Sequence, residues 1–331
     1  MALMEFGLQL NGLELPRLHD VAQAAEGLGF SFLTLPDHYV YEGPERASDP
    51  SVLNFDPMLA AAVMVQATKT ARIGHLVLCN LFRHPLETAR AISTLDHLSG
   101  GRMVLGIGSG WTATEFEMTG IPFPPITPRL AQLDESLQCI RSLWKEERTN
   151  FAGKYYQLKD AIQCPKPVQQ PAPPILLGGG GKGLLRIAAK HADIVNVIVE
   201  TGKAGYIALD NVAKLTDEAF RERVAFLHDS ARAAGRDPGS IRISNVAFNL
   251  ALTDTPEQSQ ERAQMLGSLF QNTPEGIMRS PSSLIGTPDE LIAEIQRRQR
   301  EWGVSQVIFS FQGEKVMRRL GETVVRTLQR R

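Results

Sequence analysis

An aspartate and a histidine stand side by side in this 331-residue sequence, Asp37 and His38, directly after the apolar run Ser31–Leu35. A carboxylate beside an imidazole can orient a ligand, bind it or transfer a proton near neutral pH. The same dipeptide is also typical of a turn, in which the aspartate caps a loop and the histidine lies at the surface. The pair is therefore a candidate active site, and the turn is its alternative.

A run of four glycines, Gly178–Gly181, follows the apolar segment Ile175–Leu177 and precedes a helical pattern. Backbone N–H groups at a helix N-terminus form an anion site, so we predict that this turn binds phosphate. Its spacing also matches a dinucleotide fingerprint, but the acidic residue expected about 20 positions further on has only Glu200 as a loose candidate. A tight turn that needs small residues is the alternative.

A second glycine-rich turn, Gly106–Gly110, ends a run of apolar residues that is typical of a buried strand. Its GxGxG spacing is not the dinucleotide fingerprint. Trp111, which follows, could pack on a flat ring or close the end of a barrel. We interpret Glu115 and Glu117 as a solvated face rather than as catalytic acids.

The sequence offers little other chemistry. His75, Cys79, His84 and His38 lack the clustered histidines or carboxylates of a metal site, so no metal is predicted. Arg83 could pair with a ligand anion or with a neighbouring carboxylate. No nucleophile elbow, Walker loop or HExxH motif is present. This pattern favours an enzyme in which a phosphate-bearing cofactor carries out the difficult step.

Composition excludes several partner classes. The net charge of −1 offers no general attraction for nucleic acid or for acidic membranes. The longest apolar run, Met58–Val65, is far shorter than the roughly 20 residues that cross a bilayer. The three cysteines are widely spaced and form no disulfide framework. We therefore expect a cytoplasmic protein that acts on a small molecule.

Strands and helices alternate along the chain and must position these residues. The predicted strands are Leu3–Leu10, Ser31–Leu35, Arg72–Asn80, Arg102–Gly108, Ile175–Leu177, Asp193–Val199, Ile241–Leu252 and Val307–Phe311. Each is followed by a helical pattern, the last being Glu314–Arg330. Eight such units predict an α/β fold, the (β/α)8 TIM barrel, with its site on the carboxyl-end loops. A doubly wound open sheet is the alternative.

Irregular segments account for the length beyond a minimal barrel. Asn150–Pro174 is rich in proline and glycine, and we predict that it is an extended surface excursion. Tyr39–Phe55, Glu200–Asp210 and Asn272–Ser283 are predicted to shape the substrate pocket. The chain 1–331 is interpreted as a single barrel domain with these insertions.

Longer motifs carry a family resemblance. LDHLSGGRMVLGIGSGWTATEFEMTGIPFPP, which begins at Leu95, is followed by Arg129, FAGKYYQLKDA, PKPVQQPAPPILLGGGG and HADIVN. Together they resemble the bacterial luciferase-like monooxygenase superfamily over most of the chain. The resemblance implies a TIM barrel that carries a flavin or the deazaflavin F420 at its carboxyl-end mouth. It also implies a homodimer.

The segment Leu35-Pro36-Asp37-His38 resembles the deazaflavin branch, whose members use F420 as an obligate hydride carrier. By position, the resemblance implies that Leu76–Val77 forms a non-prolyl cis peptide behind the cofactor ring. It implies that His38 acts on the substrate and is oriented by Asp37. The implied cofactor contacts are Asp37, Leu76, Val77, Cys79, Ser109, Gly110 and, at the phosphate turn, Gly180 and Gly181.

One departure from the family limits the substrate. F420-dependent glucose-6-phosphate dehydrogenases have a glutamate after the fourth-strand Ser/Thr-Gly and a tryptophan after the Asp-His loop, where this chain has Trp111 and approximately Glu42. The resemblance therefore does not carry the sugar-phosphate substrate. The leading hypothesis is an F420-dependent oxidoreductase of a small organic substrate. The alternatives are an FMN-dependent monooxygenase that uses reduced flavin and O2, and a non-catalytic cofactor-binding barrel.

Overall fold

The computed structural model describes residues 4–40, 51–198 and 215–330. Its strands are β1 Glu5–Gln9, β2 Phe32–Leu35, β3 Arg72–His75, β4 Leu78–Cys79, β5 Met103–Gly108, β6 Thr149–Ala152, β7 Gln157–Ala161, β8 Ile175–Gly178, β9 Ile194–Asn196, β10 Arg242–Ala247, β11 Asn249–Leu252, β12 Ser283–Gly286 and β13 Val304–Ser310. Its α-helices are α1 Leu15–Gly27, α2 Pro57–Ala67, α3 Pro85–Ser99, α4 Ala113–Thr119, α5 Ile126–Lys145, α6 Lys182–His191, α7 Asp217–Ala233, α8 Pro256–Phe270, α9 Pro274–Arg279, α10 Pro288–Trp302, α11 Glu314–Leu320 and α12 Arg326–Gln329.

Parallel strands close into a barrel. The hydrogen-bonded order is β3, β2, β1, β13, β10, β9, β8, β5 and β4, and β3 also pairs with β5. Because β3 and β4 are two halves of one barrel strand, the barrel has eight strands. Helices from the intervening segments pack around it. The predicted (β/α)8 TIM barrel is confirmed, and the doubly wound open sheet was wrong.

The predicted strand Arg72–Asn80 is divided by the peptide bond between Leu76 and Val77, which is cis. β3 lies before this bond and β4 after it, and a single 3-10 turn, Asn80–Phe82, follows β4. The cis peptide that the family resemblance implied is therefore present at the predicted position.

The barrel interior is a packed core rather than a pore. Six side chains, one from each of β2, β5, β8, β9, β10 and β13, form its apolar layer: Phe32, Val104, Leu176, Ile194, Val246 and Ile308. Leu76, Val77 and Ile198 pack on this layer. At the amino ends of the strands, the Glu5 carboxylate accepts hydrogen bonds from Arg72, Arg242 and Gln306. This polar cluster closes the lower end of the barrel.

The predicted strand Ile241–Leu252 is two strands in different sheets. β10 belongs to the barrel, whereas β11 pairs in parallel with β12 outside it. Phe248, between them, is left substantially exposed. Partial alternation runs through both strands, so the pattern alone could not show where the chain leaves the barrel.

Two segments that we interpreted as irregular contain regular structure. Asn150–Pro174 begins with the antiparallel hairpin β6–β7, and the Glu135 carboxylate of α5 accepts hydrogen bonds from the backbone N–H groups of Lys154, Tyr155 and Tyr156. Asn272–Ser283 contains α9, which Thr273 caps. A six-residue helix and a four-residue strand are too short for a hydrophobic period to reveal.

Helix starts follow the sequence signals closely. The Asp56 carboxylate accepts hydrogen bonds from the N–H groups of Met58 and Leu59 at the start of α2. Thr287 and Glu290 form a complete capping box at the start of α10. The closing helix is less regular than predicted, because the π-helical segment Gly321–Val325 joins α11 to α12.

Some expectations fall outside the described residues. These are the loose acidic candidate Glu200, the pocket-shaping segment at residues 200–210, the approximate position Glu42, and residues 41–50 of the loop after β2. Among the helices of the described ranges, none is long and apolar enough to cross a membrane.

Candidate active site

Most of the predicted site residues meet at the carboxyl end of the barrel. Asp37 and His38 follow β2, Leu76–Val77 separates β3 from β4, and Cys79 ends β4. Ser109 and Gly110 follow β5, which pairs directly with β4. β8, which leads to the turn Gly180–Gly181, pairs with β5 on its other side. The rim therefore brings these residues together, while their individual roles stay predictions.

Asp37 is buried and fully engaged by the protein. Its Oδ2 accepts hydrogen bonds from the backbone N–H of Cys79 at 2.8 Å and from Arg83 Nη1 at 2.6 Å. Its Oδ1 accepts from Arg83 Nη2 at 3.1 Å. Such a bidentate pair fixes the geometry of both groups. Asp37 therefore ties the β2 loop to β4, and it does not contact His38 as we had expected.

Glu115 is the residue that holds His38. The two oxygens of its carboxylate lie 3.1 and 3.2 Å from His38 Nδ1, and the backbone N–H of Tyr39 donates to the same group at 2.6 Å. The Glu115 side chain is only 3% exposed. Our interpretation of Glu115 as part of a solvated face was wrong. The first turn of α4 points it inward, whereas Glu117, two residues on, is exposed.

The partner at Nδ1 decides which ring nitrogen of His38 is available. A carboxylate oxygen accepts hydrogen bonds, so Nδ1 is the donor to Glu115, and no described residue hydrogen-bonds to Nε2. The indole of Trp111 contacts the imidazole edge-on, with ring centroids 5.5 Å apart. His38 therefore has a fixed orientation, a defined tautomer and an aromatic neighbour on the rim.

Arg83 keeps its charge in this setting. Burial opposes the charged guanidinium, but its hydrogen bonds to Asp37, and the charges of Asp37 and Asp56, outweigh burial and raise its pKa. Asp56 Oδ2 lies 3.5 Å from Arg83 Nη2. Of the two partners considered for Arg83, the structure selects neighbouring carboxylates.

Cys79 and Gly110 are packed against each other. A Cβ on Gly110 would lie 2.7 Å from Cys79 Sγ, and Gly110 has φ +74°, a left-handed conformation that favours glycine. Burial raises the pKa of the Cys79 thiol to about 12. The thiol is therefore protonated at neutral pH and is not a nucleophile.

Val77 lies between two barrel strands at the rim. Cβ atoms built on Gly108 and Gly178 would lie 2.9 and 3.1 Å from its methyl groups. At Gly106 the close neighbour is backbone rather than a side chain, because a Cβ there would meet the carbonyl oxygen of His75. The glycines of β5 therefore let the β3–β4 segment approach closely, and Val77 forms part of an apolar shelf at the mouth.

The start of α6 is suited to an anion. Its N-cap, Gly181, provides no side-chain cap, the first turn has no acidic residue, and a Cβ on Gly181 would meet no atom within 4 Å. Gly180, in contrast, is buried against the carbonyl of Ile198. The N–H groups beyond Gly181, which no side chain caps, are therefore a candidate anion site, and phosphate binding there stays a prediction.

The residues present also fit the edge of a flavin-like ring. Thr34 Oγ1 and Asn196 Oδ1 are buried, and neither has a hydrogen-bond partner among the described residues. Phe32 and Ile194 point into the barrel. Because side chains alternate along a strand, Thr34 and Asn196, each two residues nearer the carboxyl end, point into the barrel as well. Asn196 Nδ2 donates to Ser244 Oγ at 2.9 Å, which fixes the amide. The carbonyl and N–H groups of F420 or FMN could satisfy both atoms.

No metal centre is evident in the part of the chain that the structure describes, where no group of three or more His, Cys, Asp or Glu side chains could hold an ion. His75 belongs to the core instead. Burial lowers its pKa to about 4, and its Nε2 lies 3.2 Å from the carbonyl of Pro57. A neutral imidazole thus links β3 to α2.

Fold and rim together define a class: a parallel (β/α)8 barrel with an apolar shelf, an uncapped glycine turn before α6 and a buried Glu-His pair at its carboxyl end. The chain belongs to the luciferase-like monooxygenase family, whose model matches residues 2–306. The F420-dependent glucose-6-phosphate dehydrogenase of Kineococcus radiotolerans is 31% identical over 294 residues, which cover 87% of this chain and 79% of that protein.

Solved structures share the architecture. The coenzyme F420-dependent tetrahydromethanopterin reductase of Methanopyrus kandleri superposes with a TM-score of 0.75 at 22% identity, covering 99% of this chain and all of that one. A long-chain alkane monooxygenase reaches 0.78 at 19% identity, covering 100% of this chain and 92% of that one. At these identities the two likenesses establish the fold alone.

Proposed function

We propose that this protein is a coenzyme F420-dependent oxidoreductase that transfers a hydride between F420 and a small organic substrate. The observation that carries the cofactor is the similarity to relatives named F420-dependent, which extends over most of the chain. The uncapped turn at Gly181 and the unpartnered atoms of Thr34 and Asn196 support it. In the reducing direction, reduced F420 would supply a hydride to an unsaturated or carbonyl-containing substrate, which also gains one proton, and the cofactor would be left oxidised.

His38 is the group proposed to supply that proton. Glu115 holds the ring through Nδ1, so Nε2 is directed to the ligand. When the imidazole is protonated, the Glu115 carboxylate stabilises its charge, and loss of the Nε2 proton returns the ring to the neutral form. Asp37 and Arg83 fix the loop that carries His38, and neither needs to change protonation state. Leu76 and Val77 provide an apolar shelf for a ring, and Cys79, Ser109 and Gly110 border it.

A titration tests the cofactor. The purified protein is titrated in parallel with F420 and with FMN, and binding is followed by calorimetry. We expect saturable binding of F420 and weak or no binding of FMN. Tight FMN binding without affinity for F420 would favour the alternative, an FMN-dependent monooxygenase. We retain this alternative because the family description and one structural neighbour are named as monooxygenases.

A homodimer is part of the proposal. Helix α2, with the sequence PMLAAAVMVQA, carries no charge, and Gln66 is its one strongly polar side chain. Its outward face includes Leu59, which is 71% exposed. A helix that is apolar on all sides is normally covered, and a second copy of the chain would cover it.

A cytoplasmic location and a single domain over residues 1–331 are also proposed. Three free thiols, Cys79, Cys139 and Cys164, suit a reducing compartment. One continuous apolar core includes residues from Met4 to Val325, which supports a single folding unit.

A further inference from the structure

Among the described residues, the charged groups that contact the loop of Asp37 and His38 are already engaged by the protein. Arg83 is engaged by Asp37 and Asp56, and Glu115 by His38 and by the backbone of Tyr39. Recruiting Arg83 to a substrate phosphate would leave the buried Asp37 carboxylate without its counter-ion. An unpaired buried charge is strongly destabilising, so this arginine is poorly suited to bind an anionic substrate.

The recess next to His38 is apolar. It lies between the loop after β1, the end of β2 and the start of α2, and Leu13, Leu35, Pro36, Leu53 and Phe55 line it. Among the described residues that line it, His38 is the one titratable group, and the other polar side chains are uncharged asparagines. A substrate that reaches His38 from this side therefore meets hydrocarbon.

Exposed apolar side chains lie near His38. Leu53 and Phe55, which line the same recess, are 40% and 42% exposed, and Tyr39, the next residue in the chain, is 48% exposed. Tyr39 contacts Phe82, with ring centroids 4.9 Å apart, and Trp111 contacts His38 itself. Apolar surface of this kind beside a polar group is typical of a ligand-binding site.

We infer that the substrate of this site is uncharged and predominantly apolar, such as a hydrophobic ketone or enone, rather than a sugar phosphate. The inference rests on the proposed function, since it concerns the substrate that reaches His38. Among the described residues beside His38, the side chains free to contact such a substrate are apolar, aromatic or uncharged. The imidazole Nε2, which has no described hydrogen-bond partner, can bind its polar oxygen or transfer a proton.

Trp111 provides a direct binding signal. The chain has three tryptophans, and Trp144 and Trp302 are only 3% and 2% exposed. A ligand beside His38 therefore changes the fluorescence of Trp111 foremost. Trp111→Phe is the control that removes this signal.

The experiment compares a series of uncharged cyclic enones of increasing carbon number with glucose 6-phosphate. Fluorescence titrations are run on the protein alone and again after saturation with F420. We expect saturable quenching by the enones, with affinity rising about fourfold for each added methylene, and no response to glucose 6-phosphate. Phe55→Asp should lower enone affinity at least about tenfold, whereas Leu269→Asp, at an exposed position on α8, should not.

Two outcomes would overturn the inference: saturable binding of glucose 6-phosphate, or enone binding that is absent or independent of carbon number. Failure of the cofactor proposal is separate from both. An enone response in a protein without affinity for F420 would refute the cofactor and leave the substrate class standing. Affinity for F420 together with a glucose 6-phosphate response would refute the substrate class alone.

Discussion

At the scale of residues, two carboxylates on one rim have different tasks. Asp37 is held by Arg83 and by the backbone of Cys79, so it fixes the loop after β2. Glu115 contacts the imidazole of His38 and fixes its tautomer. Sequence adjacency of Asp37 and His38 suggested a pair, but consecutive residues in an extended loop point in different directions. The hydrogen-bonded pair, His38 and Glu115, is separated by 77 residues along the chain.

Glu115→Gln tests this assignment, with Glu117→Gln as the matched control on the exposed side of α4. Glutamine retains the size of glutamate and one acceptor oxygen for His38 Nδ1 and the Tyr39 N–H but loses the charge that stabilises a protonated His38. We expect kcat to fall about tenfold to a hundredfold, part of the 10²–10⁴ that a positioned acid or base contributes, with KM and the melting temperature little changed. Loss of stability with kcat unchanged would mean that Glu115 is purely structural.

His38 is tested in the same assay. His38→Asn should lower kcat by roughly 10²–10⁴ while leaving the affinity for F420 unchanged, because the ring nitrogen is proposed to act on the substrate and not to hold the cofactor phosphate. Full turnover by this variant with an identified substrate would remove His38 from the mechanism.

At the scale of elements, the close approach of strands determines where glycine is required. The β3–β4 segment packs so near β5 and β8 that Gly106, Gly108 and Gly178 have no room for a side chain. Sequence reasoning located these glycines and the strand that they end. It explained them by the approach of a ligand, because the contact with a neighbouring strand appears only once the barrel closes.

Gly110→Ala should destabilise the protein more than Gly120→Ala. Both glycines have left-handed conformations, which cost an alanine about 1–2 kcal/mol. Gly120 has open space around it, whereas at Gly110 the new methyl group would press on Cys79 Sγ, at a further cost of about 1–3 kcal/mol. Urea unfolding of both variants measures the difference. The double variant Gly110→Ala/Cys79→Ala should recover part of it, and equal losses for the two single variants would contradict the packing argument.

The buried His75, which links β3 to α2, makes stability depend on pH. Burial lowers its folded-state pKa to about 4 from 6.5, so the unfolded chain takes up a proton first as the pH falls. The stabilisation is complete above pH 6.5 and is lost progressively as the pH falls to about 4, by roughly 3 kcal/mol. In His75→Gln, where an amide can still donate to the Pro57 carbonyl, unfolding free energies measured over this range should fall less steeply. Parallel curves for the two proteins would exclude His75 as the cause.

Element prediction worked where patterns were long and failed where they were short. The barrel strands, the caps at Asp56 and Thr287 and the long helices follow from apolar runs and from local hydrogen bonding. The hairpin β6–β7 and helix α9 were missed, because their stability comes from contacts with α5 and with neighbouring elements rather than from their own sequence. The burial of Glu115 was also missed. Helix α4 has only seven residues, too few for a hydrophobic period to show which of its faces is buried.

At the scale of the whole molecule, the barrel could be predicted because eight strand–helix units leave few ways to close a parallel sheet. The site could be predicted only in outline. Its position at the carboxyl ends follows from the fold, whereas its contacts depend on the directions of individual side chains in loops. The uncharged outer face of α2 is also a property of the whole molecule, because its Leu59 is exposed on the single chain and is accounted for by the proposed dimer.

Leu59→Glu should dissociate the proposed dimer. A charge placed on the apolar face of α2 would be buried without a partner in an interface, at a cost of several kcal/mol. Light scattering coupled to gel filtration should give the dimer mass for the unaltered protein and for the control Leu269→Glu, and the monomer mass for Leu59→Glu. A protein that is monomeric before any substitution would refute the dimer itself.

The cluster of Glu5 with Arg72, Arg242 and Gln306 closes the amino end of the barrel, which is therefore separate from the loops at the carboxyl end. One end is closed by three charged side chains and one amide, drawn from four strands, while the opposite rim carries the candidate site on loops. Libraries of variants confined to those loops would leave this cluster untouched. New substrate preferences could therefore be selected here with little loss of folded protein, which makes this barrel a favourable starting point for directed evolution.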